Sequence, residues 1–433
     1  MMIDAPRVLE ETRLAGAEHR APAPVLHVRS SGGIFGADRI VLGLCAELGK
    51  HGYDAVLVPL VERDGSGREL AAAGAAQGVG VEALEVGWAY DLLGPARRLA
   101  RLAAARGARI IHAHDYRSDL LTALARGPWK RVTTLHGWVG TSWALRLKEW
   151  LDARLVRSFD QVICVSAALA ARERRHGLRR SVVIPNGIDL SPLDAAATSD
   201  PAPLRRELGI ESPAPVIGAI GRLSAEKGYD TLLYAAARLI GDGRDLTVLL
   251  VGDGPEAAAL RGLGDQLGLG ERLCMPGLRR DAARLYPLLD VFCMPSRREG
   301  LPLALLEALA AGCAAVVTPV GGIPEVVDEV PPVAALVPPD SPEALADAIV
   351  RLLDDETVRV LLGQAGRARV AAAFSTERMT RDVAAVYDAL LEGRPHGAHP
   401  ARREETGRPA GDLHDAGAPG DDPEPGRSGP SPC

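Results

Sequence analysis

What this chain of 433 residues lacks narrows it first. It has no Cys-x-x-Cys, and its six cysteines, at 45, 164, 274, 293, 313 and 433, have no clustered histidine partners. Scattered thiols of this kind fit reduced, buried side chains in a cytoplasmic protein and argue against structural zinc. No apolar run reaches the roughly 18 residues that cross a bilayer. Residues 1–22 are mixed polar and charged, without the apolar core of a secretory leader, and read as a loose lead-in. Positive charge is not in excess: the formal net charge of -6 speaks against a dedicated nucleic-acid binder. No Gly-x-Gly-x-x-Gly follows the first strand with an acid about twenty residues on, which speaks against a nicotinamide dehydrogenase. Asp253 has no second aspartate in an Asp-x-Asp, so the sequence calls for no catalytic metal.

What is there is length and apolar content enough for two domains plus tails. Residues 24–28 read as a short buried strand, 30–37 as a glycine-rich turn and 38–51 as a helix. This is the opening unit of a doubly wound α/β domain. In the turn, Gly32 and Gly33 either admit a ligand to the backbone or simply make a tight bend. Strand and helix patterns alternate onward through 55–60, 68–78, 81–86, 93–106, 110–115, 132–137 and 160–166. His112, His114 and His136 fall at strand ends, where open α/β sheets bind ligands, with a hydrogen-bonded structural role as the alternative.

Residues 126–180 hold twelve Arg and Lys against four acids. Trp129, Trp138, Trp143 and Trp150 interleave with Arg146, Lys148, Arg154 and Arg157. The stretch reads either as a basic helix on an anionic membrane surface, holding a lipid-linked acceptor, or as a solvated face with buried tryptophans. Asn186-Gly187 supplies a positive-φ turn at a domain border. A Pro- and Ala-rich linker follows at about 191–214.

A second α/β unit begins at 215. Its first strand feeds Gly221-Arg222 and Lys227-Gly228, two cations five residues apart between glycines. An arginine fork and a lysine point charge can neutralise a diphosphate without metal. The strand at 246–251 leads into Gly252-Asp253-Gly254, and that at 273–278 ends on Leu278. The strand at 288–295 runs through Ser296 to Glu299, Gly300, Leu301, Pro302 and Leu303 into the helix 304–311, which carries Glu307. Seven residues separate Glu299 from Glu307. A helix entered from a glycine loop offers unpaired N–H groups and the positive end of its dipole to an anion, though Pro302 has no N–H to give. A strand at 314–318, a glycine-rich turn at 319–325 carrying Glu325, a strand at 333–337 and helices at 342–354 and 356–373 follow. From 393 to 433 Pro, Gly and charged residues dominate, and this tail is expected to be disordered.

In this order the blocks resemble retaining glycosyltransferase family 4, the glycosyl transferases of group 1, over residues 25–391 or so. The resemblance implies the α/β GT-B fold of two facing Rossmann-like domains. An N-terminal acceptor domain would span 23–190 and a C-terminal nucleotide-sugar domain 191–374, with a helix at 375–391 crossing back to the first. It implies a catalytic set of His136, Arg222, Lys227 and Glu299. Arg222 and Lys227 would hold the diphosphate. Glu299, with the backbone of Gly300, Leu301 and Leu303, would grip sugar hydroxyls, and Glu307 would reach the ribose. Gly32 and Gly33 would face the sugar and phosphate, Gly252, Gly254 and Leu278 would line the nucleotide pocket, and His136 would orient the transferred sugar.

The implied activity is metal-independent, retaining transfer from a nucleotide-diphosphate sugar to a sugar or lipid-linked acceptor, in bacterial polysaccharide or glycolipid biosynthesis. Beyond that co-substrate no cofactor is expected. The implied location is the cytoplasm, with the inner face of the plasma membrane as a candidate peripheral contact. A GT-B epimerase or phosphorylase, or a non-catalytic sugar-nucleotide-binding protein, would share the scaffold. A pyridoxal-phosphate phosphorylase needs a Schiff-base lysine in the second domain, and Lys227, the only lysine after 148, is already assigned to phosphate.

Overall fold

The computed structural model describes residues 22–87, 91–136, 152–178, 181–210, 212–328 and 330–394. Runs of Val, Leu and Ile buried on both faces make parallel strands, which need crossover helices to cover them. The first lobe follows that rule: β1 (Ala23–Ser30), α1 (Gly36–Leu48), β2 (Tyr53–Val61), α2 (Arg68–Ala76), short β3 (Gly80–Val81) and β4 (Leu84–Glu85), then α3 (Leu93–Ala105). It continues with β5 (Ile110–Ala113), α4 (Tyr116–Leu124), β6 (Lys130–Leu135), β7 (Gln161–Cys164), α5 (Ala167–Arg175) and β8 (Ser181–Val183). Its strand order is β3-β2-β1-β5-β6-β7-β8, with β4 also paired to β2.

Two short helices, α6 (Ser191–Ala197) and α7 (Ala202–Glu207), lead to the second lobe. There β9 (Val216–Ile220), α8 (Tyr229–Gly241), β10 (Thr247–Val251), α9 (Ala257–Gln266), β11 (Leu273–Gly277) and β12 (Val291–Met294) come first. Then come α10 (Leu303–Ala310), β13 (Ala315–Val317), α11 (Ile323–Val327), β14 (Ala335–Leu336), α12 (Pro342–Asp354), α13 (Glu356–Ala373) and α14 (Thr376–Leu391). The order is β11-β10-β9-β12-β13-β14.

In both sheets the winding reverses once, between β1 and β5 in the first and between β9 and β12 in the second. Loops leaving the carboxyl ends on either side of such a reversal diverge and leave a crevice, so these two points are where a ligand fits. The chain returns to the first lobe through Ile188, whose N–H donates to Phe374 O at 2.9 Å and whose carbonyl accepts from Thr376 N–H at 3.1 Å. Beyond that crossing, Met379, Val383 and Tyr387 of α14 share one apolar cluster with Val25, Ile40, Val132 and Ile163.

Three expectations change. The stretch 191–214 is not an extended linker but carries α6 and α7, held because Leu193 and Leu204 are buried in the core that joins the lobes. Gly187 does not adopt positive φ. Glycine is needed there because a Cβ would stand 2.2 Å from Ser375 O of the returning chain. The single strand expected at 81–86 is broken into the end of β3 and β4. Trp129 is core, 7 % exposed, whereas Trp138, Trp143, Trp150, Arg146 and Lys148 of the basic segment lie outside the described residues, as do the lead-in 1–21 and the tail from 395. No helix among the described residues is long and apolar enough to cross a membrane.

Candidate functional site

At the second lobe's reversal, the loop after β9 carries Arg222 and Lys227 and the loop after β12 carries Ser296 to Pro302. Lys227 Nζ lies 2.7 Å from Glu299 Oε1, and Ser296 Oγ donates to the same oxygen at 2.7 Å. The Glu299 side chain is 4 % exposed and that of Lys227 18 %, so the pair is largely withdrawn from water and correspondingly strong. Arg297 ties the two loops together. Its Nη1 donates to Ala225 O at 2.7 Å, its Nη2 pairs with Asp230 at 2.7 Å, and its own N–H donates to Glu226 O at 2.8 Å. Arg222 is exposed.

From below, the turn after β13 supports Glu299. Gly322 N–H donates to Gly300 O at 2.7 Å, and Gly321 has φ +59° with no room for a side chain, since a Cβ would meet Glu299 O at 1.9 Å. Helix α10 then starts at Leu303 behind Pro302, and no side chain caps it. Its first N–H groups and dipole are therefore available to an anion. Glu307, one turn on, has Oε2 fixed by the Tyr286 hydroxyl at 2.7 Å.

At two of the site positions the fold itself requires glycine. The Cβ positions of Gly252 and Gly254 are filled by protein, 1.8 Å from Gly221 O and 2.3 Å from Leu223 O, so glycine there lets two loops stack. The Leu301 side chain is core, 6 % exposed, leaving only its backbone for the crevice. Leu278 is 70 % exposed after β11, and a Cβ on Gly32 would meet nothing within 4 Å.

In the first lobe, the Gly32-Gly33 turn is anchored by carboxylates. Asp38 accepts from Phe35 N–H at 2.9 Å and pairs with Arg29 at 2.8 Å, while Asp115 accepts from Ser30 N–H at 2.8 Å. His136 follows β6 with both ring nitrogens buried and no well-aligned hydrogen bond to either, the Asn186 side chain lying beside the ring. Burial first, and the nearby Arg29 charge second, push its pKa down to about 3, so the ring is neutral at pH 7.

Behind it stand three more buried histidines, with His27 Nδ1 3.0 Å from His114 Nε2. His112 is engaged at both nitrogens, by Tyr387 Oη at 2.6 Å and Thr134 Oγ1 at 2.8 Å. Ring nitrogens of His27, His112 and His114 lie within 4.8 Å of one another, a spacing a metal ion could use. His112, however, has both ring nitrogens engaged by hydroxyls, which leaves none to bind a metal. The His112–Tyr387 bond instead ties α14 to the sheet.

The lobes meet across the crevice. Arg39 of α1 pairs with Glu307, Arg280 with Glu69 at 3.4 Å, and the Glu325 carboxylate caps α5 by accepting from Ala167 N–H at 2.8 Å and Ala168 N–H at 2.9 Å. Sequence reasoning missed Arg39, Tyr286 and Arg297 because each acts on a residue distant in the chain. Glu325 was visible only as an acid in a glycine-rich turn.

Two family models match this chain: "Glycosyltransferase Family 4" over residues 34–192 and "Glycosyl transferases group 1" over residues 214–355. A GDP-mannose-dependent monoacylated alpha-(1-6)-phosphatidylinositol monomannoside mannosyltransferase of Corynebacterium glutamicum is 32 % identical over 45 % of this chain and 53 % of its own. A 2-deoxystreptamine glucosyltransferase of Streptomyces kanamyceticus is 31 % identical over 58 % of this chain and 62 % of its own. The chain thus spans little more than half the length of these curated relatives. Among solved structures, a glycosyltransferase from Rickettsia africae superposes with TM-score 0.72 at 20 % identity, covering 86 % of this chain and 100 % of that one. The Anabaena protein HepE in complex with UDP-glucose gives 0.73 at 22 % identity, covering 84 % and 99 %. At such identities the structures speak for the fold, two parallel-sheet Rossmann-like domains facing each other. The chain belongs to the family 4 glycosyltransferases of group 1, on the GT-B fold.

Proposed function

We propose that this glycosyltransferase takes its sugar from a nucleoside-diphosphate donor, retains the anomeric configuration and uses no metal ion. The observation that carries the reading is the Lys227–Glu299 pair standing beside the uncapped start of α10 at a sheet reversal. Cation, carboxylate and helix dipole converge there as a sugar diphosphate requires: positive groups for phosphate and an acceptor for hydroxyls.

Arg222 and Lys227 offset the diphosphate charge, and more so as the sugar–phosphate bond breaks. Glu299 and the Gly300 to Leu303 backbone hold the sugar, and Glu307 the ribose. His136, neutral, offers one donor and one acceptor to a sugar hydroxyl. The anomeric carbon to phosphate oxygen bond breaks while the acceptor oxygen bonds the same face. The acceptor proton passes to the departing phosphate, leaving glycoside and nucleoside diphosphate. The names of the relatives, one GDP-mannose-dependent and acting on a phosphatidylinositol monomannoside, favour a polyol or lipid-linked sugar as acceptor.

Purified protein is incubated with UDP-, GDP- and ADP-sugars and such acceptors, with and without EDTA, and the product anomer is read by NMR. An α-sugar donor is expected to give an α-glycoside at an unchanged rate in EDTA. An inverted product, or loss in EDTA restored by Mn²⁺, refutes the mechanism. A released free epimer or sugar phosphate marks the epimerase or phosphorylase alternative, and binding without turnover marks a sensor.

A further inference from the structure

Both carboxylate oxygens of Glu307 have protein partners. Tyr286, from its own lobe, covers Oε2, and Arg39, from the opposite lobe, pairs through Nη2 with Oε1. The contact is built into the fold. Gly36, first residue of α1, sits against Leu303, first residue of α10, so closely that a Cβ on it would stand 3.0 Å from Leu303 Cδ1. The two helix starts abut, and Arg39 and Glu307 lie about one turn into each.

We infer that Arg39 gates the donor site: its guanidinium holds the carboxylate oxygen that a ribose hydroxyl must reach, so the nucleotide binds in competition with a cross-crevice ion pair. This rests on the reading of Glu307 as the ribose acceptor. The exchange replaces a cation by a neutral hydroxyl at one oxygen, while Tyr286 keeps the carboxylate oriented. It is feasible because the Arg39 side chain is 47 % exposed and rehydrates on release, whereas that of Glu307, 12 % exposed, needs a partner at all times. After transfer the reverse exchange helps expel the nucleoside diphosphate, since Arg39 reclaims the oxygen as the ribose leaves.

The test is calorimetric binding of UDP, GDP and ADP to wild type, Arg39→Gln, Arg39→Lys, Glu307→Gln and the Arg39→Gln/Glu307→Gln double variant. A half-exposed ion pair limits the effect, so Arg39→Gln is expected to bind the cognate nucleotide two- to fivefold tighter or so. Arg39→Lys, which keeps the charge, should stay near wild type. The gain should vanish in the Glu307→Gln background and with the 2′,3′-dideoxy nucleotide. Equal or weaker binding by Arg39→Gln, or a gain that survives Glu307→Gln, overturns the gate while leaving the donor site intact. No binding of any nucleoside diphosphate by any of these proteins overturns both the gate and the reading it rests on.

Discussion

Replacing Lys227 by Met separates what the Lys227–Glu299 pair does for the fold from what it does for the reaction. The substitution keeps most of the unbranched side chain, one atom shorter and without the charge, and leaves the Glu299 carboxylate with Ser296 as its remaining partner. Breaking a fully buried ion pair costs about 3–5 kcal/mol, and an exposed pair about 0–1 kcal/mol. With side-chain exposures of 4 % and 18 %, this pair falls nearer the buried limit, at about 2–3 kcal/mol. Thermal unfolding should therefore move down by a few degrees. The stability loss is recoverable: adding Glu299→Gln removes the orphaned charge and should restore most of it. The activity loss is not. A lost cationic contact to a developing oxyanion costs roughly 100- to 1000-fold in turnover, and Glu299→Gln adds to that deficit. Sugar transfer and unfolding are measured on both single variants and the double. Transfer recovering in step with stability in the double variant, or Lys227→Met turning over near the wild-type rate, would refute a direct role on the phosphate.

Gly321→Ala should shift the Glu299 loop, because the added Cβ meets Glu299 O at φ +59°, and cut transfer more than tenfold or so. Retained activity with an unmoved loop in a crystal structure would count against that support. Tyr286→Phe removes the hydroxyl that fixes Glu307 and should raise the donor KM several-fold with kcat little changed; a fall in kcat alone would show that Tyr286 acts elsewhere. The pKa of His27 is pushed down to about 3 by burial, so below the unfolded value near 6.5 the unfolded chain takes up a proton that the folded one refuses. Its contribution is complete above pH 6.5 and is lost as pH falls toward 3. Between pH 6.5 and 4.5, His27→Asn should therefore lose about 2–3 kcal/mol less stability than wild type in urea titrations. Asp119 and Asp152, raised by burial, act in the opposite sense in both proteins and cancel in the comparison, so parallel curves would mean that His27 is not held neutral.

The sequence alone determined the alternation of strand and helix, the two-lobe plan and the loops that carry Arg222, Lys227, Glu299 and Glu307. These are local signals. A strand, the turn at its carboxyl end and the next helix are contiguous in the chain, so Gly-Arg-x5-Gly and Glu-x7-Glu can be read where they stand. Tertiary structure decided who partners whom. Lys227 meets Glu299 72 residues away, and Tyr387 meets His112 275 residues away, because strand order and the returning helix bring them together. No local pattern encodes such pairings. The same holds for α6 and α7, too short to persist alone, which form where Leu193 and Leu204 find a core. It holds again for Gly187, Gly252 and Gly254, which are glycine because another stretch of backbone fills the space a side chain would take.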